Sequence, residues 1–231
     1  RAWQRCQKNP PSDFDEFCTR EAYWLEDFAL FTAASEENYG KPWTEWPTAL
    51  RDRNPSALED LRRRASEAIA FVKFQQYLFD TQWKALHSRA AAKGIRILGD
   101  MPLYLAQNSA DVWANPKLFA LGSDGRAEKV AGVPPDYFSE DGQLWGNPLY
   151  DWEAMKRDDF SWWVSRVSRI LSLTDMVRID HFRGLASYWE VDAKETTARN
   201  GVWRKGPGIA LIHALRQRLG DNLPIVAEDL G

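Results

Sequence analysis

The residues best suited to chemistry lie in Asp175-Met176-Val177-Arg178-Ile179-Asp180-His181-Phe182-Arg183-Gly184. A short apolar run, interrupted by Arg178, stops at Asp180 and His181, the pattern of a buried strand with charge gathered at its C-terminal end. In parallel α/β folds that end faces the active site. Side chains alternate along a strand, so Arg178 and Asp180 share a face. A guanidinium beside a carboxylate favours its charged form, which suits a nucleophile or an electrostatic stabiliser better than a proton donor. Two further apolar runs end in acid: Ile95-Arg96-Ile97-Leu98 leads into Gly99-Asp100-Met101-Pro102, and Pro224-Ile225-Val226-Ala227 into Glu228-Asp229. Three acidic strand ends in one sheet would converge on one crevice.

Two such carboxylates suit glycoside cleavage with retention, in which one attacks carbon and the other shuttles a proton across a gap of roughly 5–5.5 Å. A metal is the competing use, but His181 is the single nearby imidazole and no second ligand follows at a fitting spacing. There is no Gly-x-Ser-x-Gly turn, no cysteine beside a base, and no glycine pattern placed as a phosphate loop requires.

The elements that must position these groups alternate helix with strand. Helical stretches over 56–92, 152–171 and 207–219, the last closed by Gly220, precede the three strands, an order that indicates a parallel sheet with crossover helices. Ser56 with Glu59 three residues on reads as a capping box at the start of the first. Residues 13–39 carry Phe14, Phe17, Trp24, Leu25, Phe28, Leu30 and Phe31 at spacings of one or two amphipathic helices, with packing as their role. Lys41 to Pro55 reads as an ordered loop anchored by Trp43 and Trp46. His87, near the end of a helix and without an evident second ligand, reads as a surface or packing histidine. Between the first two strands, Leu103 to Tyr150 is a long segment rich in Gly, Pro, Asn and aromatics. Its aromatics argue against disorder. Rings beside Asp, Gln and Asn suit a sugar, whose apolar face stacks while its hydroxyls hydrogen-bond; a loop packing on its own rings is the other reading.

The totals exclude several classes. A chain of 231 residues can bury one sizeable core, and a net charge of −3 provides no general attraction for nucleic acid. No apolar run is long enough to span a bilayer. Cys6 and Cys18 fit a reducing compartment better than a disulfide framework, so a cytoplasmic location is expected. The start at Arg1 and the stop just past a strand end lead us to expect an internal segment of a longer protein.

Taken together, Trp24-Leu25 with Asp27 to Phe31, Gly94 to Arg96 with Gly99 to Pro102, Ser109 to Trp113, Pro134 to Phe138, Gly142 to Pro148, Arg178 to Gly184 and Ala227 to Gly231 resemble the amylomaltases, or 4-α-glucanotransferases, of the α-amylase clan, in the family's order and over essentially the whole chain. The resemblance implies part of a TIM (β/α)8 barrel, an α/β fold, represented here by about three central parallel strands with helices and a long βα loop. Residues 1–55 would form a helical, aromatic accessory subdomain and 56–231 the central part of the barrel, with 101–150 as a substrate-binding insertion. It implies Asp180 as nucleophile and Glu228 as acid/base, Arg178 and His181 flanking the reacting glucose, Asp229 beside the acid/base, and Asp100 in support. Asp136, Gln143 and Trp145 would belong to the loop over the glucan subsites. The implied partners are α-1,4-glucans and maltooligosaccharides, with no cofactor, metal, nucleic acid or membrane. The family's third carboxylate, in a His-Asp pair, lies well beyond its acid/base glutamate and so beyond this chain. A hydrolase of the same clan and a non-catalytic glucan-binding fragment remain as alternatives.

Overall fold

The computed structural model describes Trp3 and residues 9–228. Cys6 lies outside them, and Cys18 is a free thiol. No helix among the described residues is long and apolar enough to cross a membrane. The chain divides into two compact units, Arg1–Leu86 with Asn108–Ala114, and His87–Gln107 with Asn115–Gly231. This division falls about thirty residues later than the 55/56 boundary implied by the resemblance.

The first unit is helical. It contains α1 (Phe14–Arg20), α2 (Ala22–Glu37), a 3-10 turn (Trp43–Glu45), α3 (Thr48–Arg51), α4 (Pro55–Arg64), the greater part of α5 (Ser66–Ala91) and the short α6 (Ala110–Ala114). The apolar spacing of α2 buries Leu25, Ala29, Leu30, Ala33 and Ala34. Trp113 is wholly buried against Phe31 and Trp46, and its indole N–H donates to the Leu50 carbonyl at 3.1 Å, so a large ring is buried without orphaning its donor. The capping box expected at Ser56 is replaced. The cap is Asn54, whose side chain accepts the Ser56 N–H at 3.0 Å, with Pro55 in the first helical position, where its missing N–H costs no hydrogen bond.

The second unit carries two sheets. In the first, β1 (Leu98–Met101), β4 (Met176–Ile179) and β7 (Ile225–Ala227) are parallel with β4 central, linked through α7 (Trp152–Arg157) and α8 (Ser161–Leu171) and then through α9 (Ile209–Leu219). Parallel neighbours need such crossovers. Helix α8 packs on β1 and β4 and against α9. One face of the sheet is apolar and buried at Met101, Val177 and Ile179; period-two alternation puts Leu98, Asp100, Met176, Arg178 and Val226 on the other.

Three sequence expectations are corrected here. The first strand starts at Leu98, not Ile95, so Asp100 lies within it. The single helix expected over 152–171 is two, because Asp159 and Phe160 take left-handed backbone at φ 56° and 55° and Phe160 buries its ring at the break. The segment 103–150 is no plain loop. It holds β2 (Lys129–Val133) and β3 (Gln143–Pro148), which join β5 (Ser187–Asp192) and β6 (Gly201–Lys205) in an antiparallel sheet ordered β3-β2-β5-β6. Gly132 is required there, for a Cβ at that position would lie 2.5 Å from the Gln143 carbonyl oxygen.

His87 has a structural partner. Its Nε2 lies 3.1 Å from Asp175 Oδ2, which also accepts the Ile97 N–H at 2.7 Å, tying the approach to β1 to the start of β4. The backbone bond from Ile97, followed by the contact with His87, holds the Asp175 carboxyl below its ordinary value of 3.8. A carboxyl lowered on folding stabilises above its unfolded pKa, and that stabilisation is lost as pH falls through the folded pKa. Asp175→Asn in the full-length protein should therefore unfold at a lower temperature at neutral pH, with the gap to wild type closing below 3.8. A gap that stays constant down to pH 2.5, roughly a pH unit lower, would refute the linkage.

Candidate active site

The sheet register brings the chemistry-bearing residues together. Asp100 pairs with Arg178 across β1 and β4, and Arg178 with Val226 across β4 and β7. Asp180 and Glu228 each lie two residues further on, just beyond the register pair Ile179 and Ala227, and so inherit the face that carries Arg178. The ladder continues past the strand ends: the Asp180 N–H donates to the Met101 carbonyl at 2.9 Å and the Glu228 N–H to the Ile179 carbonyl at 3.2 Å. Neighbouring strands lie about 4.8 Å apart, so both acidic residues rise from adjacent strands.

Arg178 is the hub. Its Nε donates to Asp100 Oδ1 at 3.0 Å and its Nη2 to Asp100 Oδ2 at 2.7 Å, a two-pronged pair, and the same Nη2 lies 3.2 Å from Asp180 Oδ1. The hydrogen bond from Arg178 holds the Asp100 carboxyl below the usual range, and Asp100 in turn raises the guanidinium. The sequence expectation joined Arg178 to Asp180; in the fold its shorter, two-pronged bond goes to Asp100.

His181 follows Asp180 in left-handed backbone, φ 50° and ψ 44°, where a 3-10 turn, Phe182–Leu185, begins. Non-glycine residues enter that region rarely and at a cost. Its main-chain N–H donates to Glu228 Oε2 at 3.0 Å. The residue is 8% exposed, and its ring meets Trp145 edge to face at 4.8 Å between centroids. Burial holds the imidazole pKa below 6.5, against the opposing pull of the Glu228 and Asp180 carboxylates. The turn is braced from β6, where Arg183 lies 4.1 Å over the Trp203 ring. The Gly206 and Gly208 N–H groups donate to Ala186 and Leu185 carbonyls at 2.9 and 2.8 Å. Only glycine fits at 206, because a Cβ would lie 2.3 Å from the Leu185 carbonyl oxygen.

Trp145, on β3, is 36% exposed and donates its indole N–H to Gln143 Oε1 at 3.0 Å, so these two loop residues join the cluster through His181. Asp136 is used differently. Its Oδ1 accepts the N–H groups of Phe138 and Ser139, each at 2.8 Å, forming a turn that leaves Tyr137 and Phe138 almost fully exposed. Asp229 lies outside the described residues. No group of three or more His, Cys, Asp and Glu among the described residues is arranged to hold a metal.

Sequence reasoning missed Arg166 and Tyr150. The Arg166 guanidinium stacks over Trp163 at 5.0 Å and donates to the Pro102 and Leu103 carbonyls, the second at 3.2 Å, while the Tyr150 hydroxyl donates to the same Leu103 oxygen at 2.6 Å. They fix the chain as it leaves β1 beside Asp100. The tryptophan pair 162–163 was visible in the sequence, but nothing in the spacing pointed Arg166 at a loop sixty residues away.

Three parallel strands with acids gathered at one end, wrapped by crossover helices, are part of a (β/α)8 barrel. An amylomaltase from Streptococcus agalactiae in complex with acarbose superposes with a TM-score of 0.92 at 41% identity, over 100% of this chain and 48% of that one. An amylomaltase from Corynebacterium glutamicum, at 21% identity and a TM-score of 0.73 over 95% of this chain and 29% of that one, shares the fold. The 4-alpha-glucanotransferase of Thermus thermophilus is 50% identical over 218 residues, 94% of this chain and 43% of the relative. The chloroplastic/amyloplastic enzyme of that name from Solanum tuberosum is 49% identical over 208 residues, 90% of this chain and 36% of the relative. A family model described as 4-alpha-glucanotransferase matches residues 1–231, and the chain belongs to that family. It spans less than half the length of these curated relatives.

Proposed function

We propose that this chain supplies the nucleophile and the acid/base of a 4-α-glucanotransferase that moves an α-1,4-glucan unit to the 4-hydroxyl of an acceptor glucan or glucose. The observation that carries the reading is the common face of Asp100, Arg178, Asp180 and Glu228 on three adjacent parallel strands, with Arg178 in contact with both aspartates. In the first step Glu228 gives its proton to the leaving glycosidic oxygen while Asp180 attacks the anomeric carbon, breaking the C–O bond and forming a glycosyl ester. In the second, Glu228 takes the proton of the acceptor 4-hydroxyl, whose oxygen displaces Asp180, so one linkage is exchanged for another. Arg178 holds the nucleophile's carboxylate in place. The insertion 101–150 limits water's access during the intermediate's lifetime, with Trp145, Gln143 and Asp136 on the side of bound glucan. His181 and Asp229 complete the neighbourhood of the reacting glucose.

Incubating the full-length protein with maltotriose tests this. A ladder of longer oligosaccharides plus glucose is the expected product; shorter sugars alone would mean hydrolysis instead. Residues 1–231 expressed alone are expected to yield neither, because among the described residues β1 and β7 each have a strand on one side only. A ladder from the segment would overturn that expectation. Titrating the segment with maltoheptaose while following tryptophan fluorescence tests whether the insertion binds glucan by itself.

A further inference from the structure

We infer that His181 is a positioning residue that acts through its main chain: its amide N–H at the end of β4 bonds Glu228, and its left-handed backbone and buried ring, wedged against Trp145, hold that peptide in place. The inference rests on the reading of Glu228 as acid/base and reassigns His181 from flanking the sugar.

Three observations converge on it. The His181 N–H bonds Glu228 Oε2 at 3.0 Å, and the left-handed φ of 50° directly after it turns the chain into the 3-10 turn, which pins the donating peptide at the end of β4. Alternation along β4 sets that aim: the Val177 N–H donates to Pro224 on the β7 side and the Asp180 N–H to Met101 on the β1 side, so the His181 N–H faces β7 and meets Glu228 at its end. The ring is buried, so little of its surface is left for a sugar; its pKa lies below 6.5, so at neutral pH it carries no charge to offer Glu228. The surroundings of the ring leave no slack. Trp145 meets it at 4.8 Å, and a Cβ at Gly184 would lie 3.0 Å from its Cδ2 and 2.3 Å from Leu103 Cδ2. Trp145 thus reaches Glu228 through one intervening residue, and disturbing the aromatic loop should disturb the acid/base even where glucan still binds.

The tests use the full-length protein and maltotriose. His181→Asn and His181→Ile both delete the imidazole, but asparagine tolerates left-handed backbone whereas a β-branched residue resists it. The expected result is a kcat for His181→Ile about tenfold below that of His181→Asn, with similar KM values for the two. Equal losses in both variants, with KM raised, would overturn the inference and return the ring to the sugar. A second measurement needs no substitution at 181. In protein labelled with 15N-histidine, the His181 amide proton should move upfield by a resolved amount on Glu228→Ala as it loses its carboxylate acceptor; an unmoved resonance would count against the bond and overturn the inference. Glu228→Gln separates this from the parent reading. If Glu228→Gln keeps full transfer, the assignment of Glu228 fails and the inference falls with it. If transfer is lost in Glu228→Gln while Asn and Ile at 181 behave alike, the inference alone fails.

Discussion

Asp180→Asn in the full-length protein is expected to abolish glucan transfer, lowering turnover by about four orders of magnitude, the scale on which covalent enzymes fail when a member of the reacting set is removed. The substitution keeps the shape of the side chain and a hydrogen-bond acceptor for Arg178 Nη2, which now lies 3.2 Å from Oδ1, so the fold should persist. On the proposed mechanism, what it removes is the anionic oxygen that would form the glycosyl ester. Glu228→Gln should fail for a different reason, because a carboxamide can neither give up a proton to the leaving oxygen nor take one from the acceptor. Leaving-group chemistry distinguishes the two roles. A maltosyl fluoride departs without protonation, so Glu228→Gln should still release a burst of fluoride as the covalent intermediate forms, whereas Asp180→Asn should release none. The reverse pattern would exchange the two assignments. Equal, undiminished transfer in both variants would remove the catalytic reading altogether.

The site was legible in the sequence where charge interrupts an apolar run. Met176 to Ile179 reads as a strand, and parity alone then puts Arg178 and Asp180 on one face; that Glu228 shares it follows from the register of β4 with β7, which the sequence does not carry. β1 was harder. Ile95 and Ile97 look more like strand than Gly99 and Asp100 do, yet the Asp175 carboxylate takes the Ile97 N–H and pairing begins only at Leu98. That competition involves a side chain 78 positions away, which no local pattern encodes. The second sheet was missed for a related reason. Trp189 to Asp192 alternates apolar and polar residues, and Gly201 to Lys205 contains Val and Trp, but their pairing, with Trp189 opposite Trp203, crosses a connection whose turn chemistry is not that of a short hairpin. The break at Phe160 carries no Gly or Pro. Burial of its ring selected a backbone that propensity disfavours. The bond from the His181 amide to the Glu228 side chain joins the ends of neighbouring strands 47 residues apart in the chain, and only the fold could disclose it.

The second large effect is expected at Arg178, and it distinguishes a fork from a charge. Its Nε and Nη2 occupy both oxygens of Asp100, and Nη2 reaches Asp180 as well, so a planar guanidinium serves two carboxylates at once. Arg178→Met keeps most of the length and none of the donors. It leaves two carboxylates facing each other with no cation between, and kcat/KM should fall by about a hundredfold or more, since misplacing a reacting group by about an ångström costs that much. Arg178→Lys restores the charge but, as a single point of donation, cannot bond Asp100 in two prongs and hold Asp180 too. It should recover only part of the loss, and full recovery would refute the argument from geometry. Asp100 supplies an independent reading. Because the bond from Arg178 lowers its pKa in the fold, the stabilisation it contributes is present above 3.8 and lost as pH falls through the folded value. In Arg178→Met the Asp100 carboxyl should titrate nearer 3.8, as followed by the 13C shift of its side-chain carbon, and the pH-dependent part of the stability should shrink with it. Rate lost while Asp100 titrates as in the wild type would mean that Arg178 acts on Asp180 alone and that the Asp100 pair is incidental to catalysis.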